Sequence, residues 1–168
     1  GAAALILSAC NDEPATHFQS GKSAQMNMKS LDQMLAQNSS GPKKELFASG
    51  ISSLKDGNYP AASKSFNQIV NIDPQNSMAH TLNGLAYQLQ GLEGDLDAMA
   101  LAEAAYNQAR KYNETNAFAI LQLGRINVAR KNYVAAEDLF STVLLLEPGN
   151  EEALYELANA SYLMGDVK

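Results

Sequence analysis

Apolar and small residues recur along residues 43–168 at the spacing of one helix face, and polar residues fill the intervals between them. This pattern predicts seven helices joined by short polar turns. Their expected bounds are 43–56, 59–72, 77–90, 95–112, 116–130, 133–146 and 150–164. The sequence therefore predicts an all-α fold.

Two kinds of turn divide the predicted helices. Asp73-Pro74-Gln75-Asn76 and Glu147-Pro148-Gly149-Asn150 end one helix and begin the next. Proline cannot continue a helix, and the asparagine that follows can accept hydrogen bonds from the free N–H groups of the new helix. Tighter turns are expected at Gly57-Asn58-Tyr59 and Lys131-Asn132-Tyr133, with asparagine in the left-handed backbone conformation that it tolerates.

The same residue types return with a period near 34 residues, since Gly84 follows Gly50 by 34 positions. One set consists of Gly50, Ala62, Phe66 and Pro74. The set returns at identical spacing as Gly124, Ala136, Phe140 and Pro148, with a divergent copy between them that includes Gly84, Ala102 and Tyr106. Such a period, combined with helical patterning, is typical of stacked helix-turn-helix units and indicates a binding surface rather than an enzyme core.

This residue set closely resembles the tetratricopeptide repeat (TPR), over about residues 43–168. The resemblance implies a right-handed α-solenoid with repeats at about 43–76, 77–116 and 117–150 and an incomplete fourth repeat from 151. It also implies close helix crossings at small residues and aromatic side chains that fill the gaps. The small residues are Gly50, Gly84, Gly124 and Ala158, and the aromatic ones are Phe66, Tyr106 and Phe140.

The second repeat departs from its neighbours because it is about six residues longer, with the extra length at 92–98. One interpretation is that its second helix starts early and is capped by Asp95. The other is that the added turn protrudes and contacts a partner. Both remain open at the level of the sequence.

The first ten residues suggest how the chain is anchored. Ala2–Ala9 is apolar apart from Ser8, and Leu7-Ser8-Ala9-Cys10 resembles the bacterial lipobox. The resemblance implies a partial signal peptide at 1–9 and lipidation of Cys10. Residues 10–41 are then a polar tether, in which Ala24, Met28, Leu31 and Leu35 are spaced to share one face of a helix. The alternative is an ordinary cysteine after a chance apolar run.

Composition narrows the set of partners. A net charge of −6 and a pI near 4.8 argue against nucleic acid, which needs a basic footprint, and against membrane attachment by charge alone. His17 falls in the tether, and His80 takes a position expected to be packed in the core. The acidic residues at 93, 95 and 97 lack the spacing of a calcium loop. No catalytic residues, metal, cofactor or small-molecule substrate are therefore expected, and the chain is interpreted as a non-enzyme.

The resemblance also implies a concave groove lined by the first helix of each repeat. The positions that chaperone-binding members use to clamp a terminal carboxylate hold Phe47, Ile51, Leu82, Phe118 and Gln122, so that clamp is absent. A groove of this composition suits an apolar helix or extended peptide, with Arg125 holding one polar group. The predicted partner-binding residues are Phe47, Ile51, Met78, Leu85, Phe118, Leu121, Arg125, Tyr155 and Asn159. The alternative is that some of them only pack between helices.

The resulting hypothesis is a lipid-anchored interaction scaffold of the bacterial envelope that faces the periplasm and assembles a pilus, secretion or cell-wall machine. Asn11, where enteric inner-membrane lipoproteins carry aspartate, mildly favours the outer membrane. The alternative hypothesis is the tethering arm of a larger enzyme whose catalytic domain follows residue 168.

Overall fold

The computed structural model describes residues 32, 33, 36 and 41–166, and residues 44–166 contain seven α-helices and no strand. Each helix begins and ends within two residues of the bounds predicted from the sequence. The helices are α1 Lys44–Lys55, α2 Tyr59–Ile72, α3 Ser77–Leu92, α4 Leu96–Tyr112, α5 Ala117–Ala129, α6 Tyr133–Leu146 and α7 Glu151–Asp166. The described residues divide into two compact units, and the division falls between Ala105 and Tyr106, within α4.

Asparagine side chains cap the helices that follow the proline turns, as the sequence predicted. Asn76 Oδ1 accepts a hydrogen bond from the Ala79 N–H at 2.9 Å, and Asn150 Oδ1 accepts one from the Ala153 N–H at 2.9 Å. The caps satisfy N–H groups that the first turn of a helix leaves without an intrahelical acceptor. The N-terminal ends of α3 and α7 are thereby fixed by local sequence.

The prediction that asparagine takes the left-handed conformation in the tight turns is wrong. Gly57 and Lys131 have φ of +77° and +63°, whereas Asn58 and Asn132 have φ of −91° and −86°. The left-handed residue stands just after a helix ends, where it turns the chain away from the helix axis. The asparagine comes one position later and is already the N-cap of the next helix.

The first unit packs α2 against both α1 and α3. Gly50 lies against the Phe66 ring so closely that a Cβ at Gly50 would stand 2.5 Å from Phe66 Cε1. Lys43 Nζ also lies 2.5 Å from Asp73 Oδ2, which joins the start of α1 to the end of α2. Hydrogen bonds from Lys43 and Asn76 lower the pKa of the Asp73 carboxyl. The predicted close crossing at Gly50 is confirmed.

The second unit repeats this arrangement with α6 packed against α5 and α7. A Cβ at Gly124 would stand 2.3 Å from Phe140 Cε1, so the second predicted close crossing is confirmed. Around this contact lies a core of buried apolar residues: Ala117, Ile120, Leu121, Ala136, Phe140, Val143, Ala153 and Ala160.

The additional residues of the second repeat lengthen its helices. α3 runs on to Leu92, α4 starts at Leu96, and Asp95 Oδ1 accepts a hydrogen bond from the Ala98 N–H at 3.3 Å. The cap predicted at Asp95 is confirmed. Leu96 is 85% exposed at this turn, and the alternative that the turn contacts a partner stays a prediction.

Several predictions concern residues outside the described part of the chain. Cys10 and the proposed helix face of Ala24, Met28, Leu31 and Leu35 lie there. Within the described residues, no helix combines the length and apolar character needed to cross a membrane. The predicted division into signal peptide, tether and repeats is not tested by the structure.

Candidate partner-binding face

The groove residues predicted in the first unit differ in their accessibility. Phe47, Ile51 and Leu85 are buried, whereas Met78 is partly exposed at the start of α3. The three buried side chains belong to the apolar interior of this unit and are not accessible to a partner in this structure. Of the four, Met78 is the one that a bound peptide would reach without rearrangement.

The groove residues predicted in the second unit include three partly exposed side chains, Phe118, Tyr155 and Asn159. Leu121 and Arg125 are buried, each 4% exposed. Phe118 and Arg125 are seven residues apart on α5, and Tyr155 and Asn159 are four apart on α7, so each pair shares one face of its helix. We refer to Phe118, Arg125, Glu152, Tyr155 and Glu156 as the α5/α7 face.

Arg125 is the polar centre of the α5/α7 face. Its Nε donates to Glu156 Oε1 at 2.7 Å, and its Nη2 donates to Glu152 Oε2 at 2.9 Å. Burial lowers the pKa of the Arg125 guanidinium, but Glu156 and Glu152 outweigh that effect, and the net result is a raised pKa. Arg125 therefore stays charged and is held by this chain's own carboxylates.

The sequence interpretation of Arg125 as a contact for a polar group of the partner did not anticipate these internal carboxylates. Glu152 and Glu156 follow Arg125 by 27 and 31 residues, and their pairing with it was not predicted. A signal was present in the sequence. Arg125 is the one charged residue in the apolar segment Ala117–Ala129, and Glu152 and Glu156 are spaced to share a face of the next first helix.

Tyr106 supports the α5/α7 face from beneath. It is fully buried, and its ring meets the Phe118 ring edge-on at a centroid distance of 6.4 Å and an angle of 64°. Burial raises the pKa of the Tyr106 hydroxyl well above its ordinary value, and the Arg125 charge opposes that rise. Tyr106 is thus a neutral core residue that positions Phe118.

The histidine and the acidic side chains of the described residues were candidates for metal binding. His80 is packed in the core as predicted, with Nε2 2.9 Å from the Pro74 carbonyl oxygen. Among residues 41–166, no three His, Cys, Asp or Glu side chains form a group that could hold a metal ion. A cavity of about 500 Å³ in the second unit is lined by Asn107, Arg110, Lys111, Glu114, Ile120 and Thr142.

Solved structures of TPR domains match this chain along most of its length. The first TPR domain of human RPAP3 has 28% sequence identity and a TM-score of 0.64, over 72% of this chain and 91% of that one. The first TPR of Spaghetti (RPAP3), bound to the HSP90 peptide SRMEEVD, has 28% identity and a TM-score of 0.65, over 73% and 93%. The second TPR domain of human RPAP3, in complex with the HSP70 peptide SGPTIEEVD, has 26% identity and a TM-score of 0.59, over 67% and 88%.

These matches establish the class of fold. The chain is all-α with the fold of a TPR domain, which confirms the predicted fold class. No protein-family model and no curated protein matches the sequence. Two of the three neighbouring structures were solved with a bound peptide, which supports an interaction module as the general class of protein.

Proposed function

We propose that this protein is a lipid-anchored scaffold of the bacterial envelope that binds a peptide or helix of a partner protein along its TPR groove. The observation that carries the proposal is the shared fold with TPR domains solved in complex with peptides. A TPR fold presents the first helices of its repeats as an extended binding surface. The proposal assigns no catalytic step and no cofactor to the chain.

Accessible side chains of the groove are proposed to make the direct contacts. Phe118, Tyr155, Asn159 and Met78 are partly exposed at the predicted positions. Aromatic side chains are frequent energetic centres of protein interfaces because they bury a large area at low cost in conformational entropy. The buried residues are proposed to shape the binding surface of their own unit from within: Phe47, Ile51 and Leu85 in the first unit, Leu121 and Arg125 in the second.

Placement at the envelope rests on the first residues of the chain. Leu7-Ser8-Ala9-Cys10 resembles the lipobox, and two acyl chains on Cys10 would suffice for stable membrane anchoring. Asn11 favours the periplasmic face of the outer membrane. A pilus, secretion or cell-wall assembly factor is the proposed role in that compartment.

The groove is tested by replacing its two partly exposed aromatic residues, Phe118→Ala and Tyr155→Ala. We expect the double variant to recover at least about tenfold less partner after crosslinking in cells and mass spectrometry, because each such anchor contributes more than about 1 kcal/mol. The control is Tyr162→Ala, which removes a tyrosine that is 68% exposed on the same helix. Circular dichroism checks that the double variant remains folded.

Equal partner recovery by the double variant and by wild type would contradict a role for the groove. Equal losses in the double variant and in Tyr162→Ala would contradict it as well, because the loss would then not depend on the groove positions.

A further inference from the structure

The buried charged group of the α5/α7 face carries surplus negative charge. Arg125 contributes one positive charge, whereas Glu152 and Glu156 contribute two negative ones, which leaves a net charge of −1. The three side chains are only 4%, 13% and 11% exposed. Solvent therefore screens this charge less than it screens charges on the open surface, and the charge acts strongly on a ligand at the face.

The same group has unused capacity for hydrogen bonding. Each carboxylate gives one oxygen to the guanidinium, so each keeps a second oxygen for another donor. Arg125 Nη1 is buried and has no acceptor among the described residues. A buried N–H without an acceptor raises the free energy of the folded protein. A hydrogen bond from this nitrogen to an oxygen of water or of a ligand would remove that cost. The group thus matches a ligand that offers both a cationic donor and an acceptor oxygen.

The two helices that carry this group also carry two aromatic side chains. Tyr155 directly precedes Glu156 on α7, and Phe118 lies two helical turns before Arg125 on α5. Both rings are partly exposed. The face of an aromatic ring attracts a nearby ammonium or guanidinium group, so the rings favour the same charge as the carboxylates.

We propose that the α5/α7 face binds a basic peptide segment, with a Lys or Arg side chain on the second oxygens of Glu152 and Glu156. This inference rests on the proposed function and names its ligand class. A peptide offers the cation in its side chain and acceptor oxygens in its main chain. The peptides in the neighbouring complexes end in EEVD, which is negatively charged, whereas the ligand proposed here is positively charged. The net negative face of this chain disfavours such an ending by repulsion.

The test is an array of immobilised random heptapeptides, with SRMEEVD among them, probed with the fluorescently labelled full chain. We expect peptides with a net positive charge from Lys or Arg to be retained at least about fivefold more than neutral ones, which is the ratio that about 1 kcal/mol of ion pairing produces. SRMEEVD, in which three acidic side chains outweigh one arginine, is expected to stay at the background level.

A matched pair of variants tests whether the preference for basic peptides depends on the α5/α7 face. Glu152→Gln removes one negative charge, yet its amide oxygen can still accept the bond from Arg125 Nη2. It is expected to reduce the preference for basic peptides to under about twofold. Glu151→Gln removes the same charge from the neighbouring exposed residue, outside the ion pairs, and is expected to leave the preference unchanged. Circular dichroism confirms that both variants are folded.

The possible outcomes separate this inference from the proposed function. Retained peptides without enrichment in Lys or Arg, or an unchanged preference in Glu152→Gln, would overturn the basic ligand and leave peptide binding in place. An array on which no peptide is retained would overturn the inference together with the proposed function.

Discussion

A glycine that faces a phenylalanine ring is the residue pair that fixes how the two helices of a repeat cross. Gly50 meets Phe66 in the first unit and Gly124 meets Phe140 in the second. Both phenylalanine side chains are fully buried. Neither ring has room to move without displacing its own surroundings, because protein interiors are close-packed. The absent Cβ therefore determines the distance between the helices.

Gly124→Ala is expected to destabilise the protein although alanine favours helix formation. The new Cβ would lie 2.3 Å from Phe140 Cε1, and such overpacking costs about 1–3 kcal/mol, more than the gain in helix propensity. Urea unfolding followed by circular dichroism measures the change. Gly149→Ala is the control, since nothing lies within 4 Å of the Cβ added there. A Gly124→Ala variant as stable as wild type would contradict the close crossing.

Arg125 shows what the sequence could predict about the site at the residue scale and what it could not. Its position on the first helix of a repeat was correctly derived, because that position follows from the local repeat pattern. The burial of Arg125 was not predicted, because it depends on Glu152 and Glu156. These two residues belong to a helix that follows about 30 residues later. A buried arginine needs carboxylate partners, and those partners are identified only when the helices are packed.

At the scale of the elements, the helix boundaries follow from local chemistry. Proline, glycine and asparagine act within a few residues, so all seven helices were predictable within two residues of their bounds. The left-handed residue of the tight turns was missed for a physical reason. The left-handed conformation is sterically unfavourable for lysine, so a lysine in the sequence does not indicate it. Lys131 therefore gives no sequence signal of the kind that Gly57 gives.

The two tight turns offer a matched test of helix capping. Asn58 Oδ1 accepts a hydrogen bond from the Ala61 N–H at 3.2 Å, whereas Asn132, at the same position of its repeat, makes no side-chain cap bond. Asn58→Ala is expected to lower the free energy of unfolding by about 1 kcal/mol, and Asn132→Ala by only a few tenths. Urea unfolding of the two variants side by side measures the difference. An equal decrease in the free energy of unfolding in both variants would show that the cap bond of Asn58 does not stabilise the protein.

At the scale of the whole molecule, the fold and the cellular location rest on different parts of the chain. The repeats between 43 and 166 specify the fold by short-range patterns, and solved TPR domains confirm it. The proposed location rests on the first ten residues, where a single cysteine follows an apolar segment. An acidic chain with a net charge of −6 has little attraction of its own for an anionic membrane surface. The proposed membrane association therefore depends on the proposed acyl chains of Cys10.

Cys10→Ala is expected to release the protein from the membrane fraction of bacterial cells that express the full gene. Cys10 is the only cysteine among these 168 residues, so none of them offers another thiol to take a diacylglycerol in its place. Fractionation, together with incorporation of labelled palmitate, measures the anchor: wild type should be labelled and sediment with membranes, and the variant should do neither. Asn11→Asp is the control, because it keeps the thiol and should remain labelled while it shifts towards the inner membrane.

A Cys10→Ala protein that still sediments with membranes would contradict the anchor.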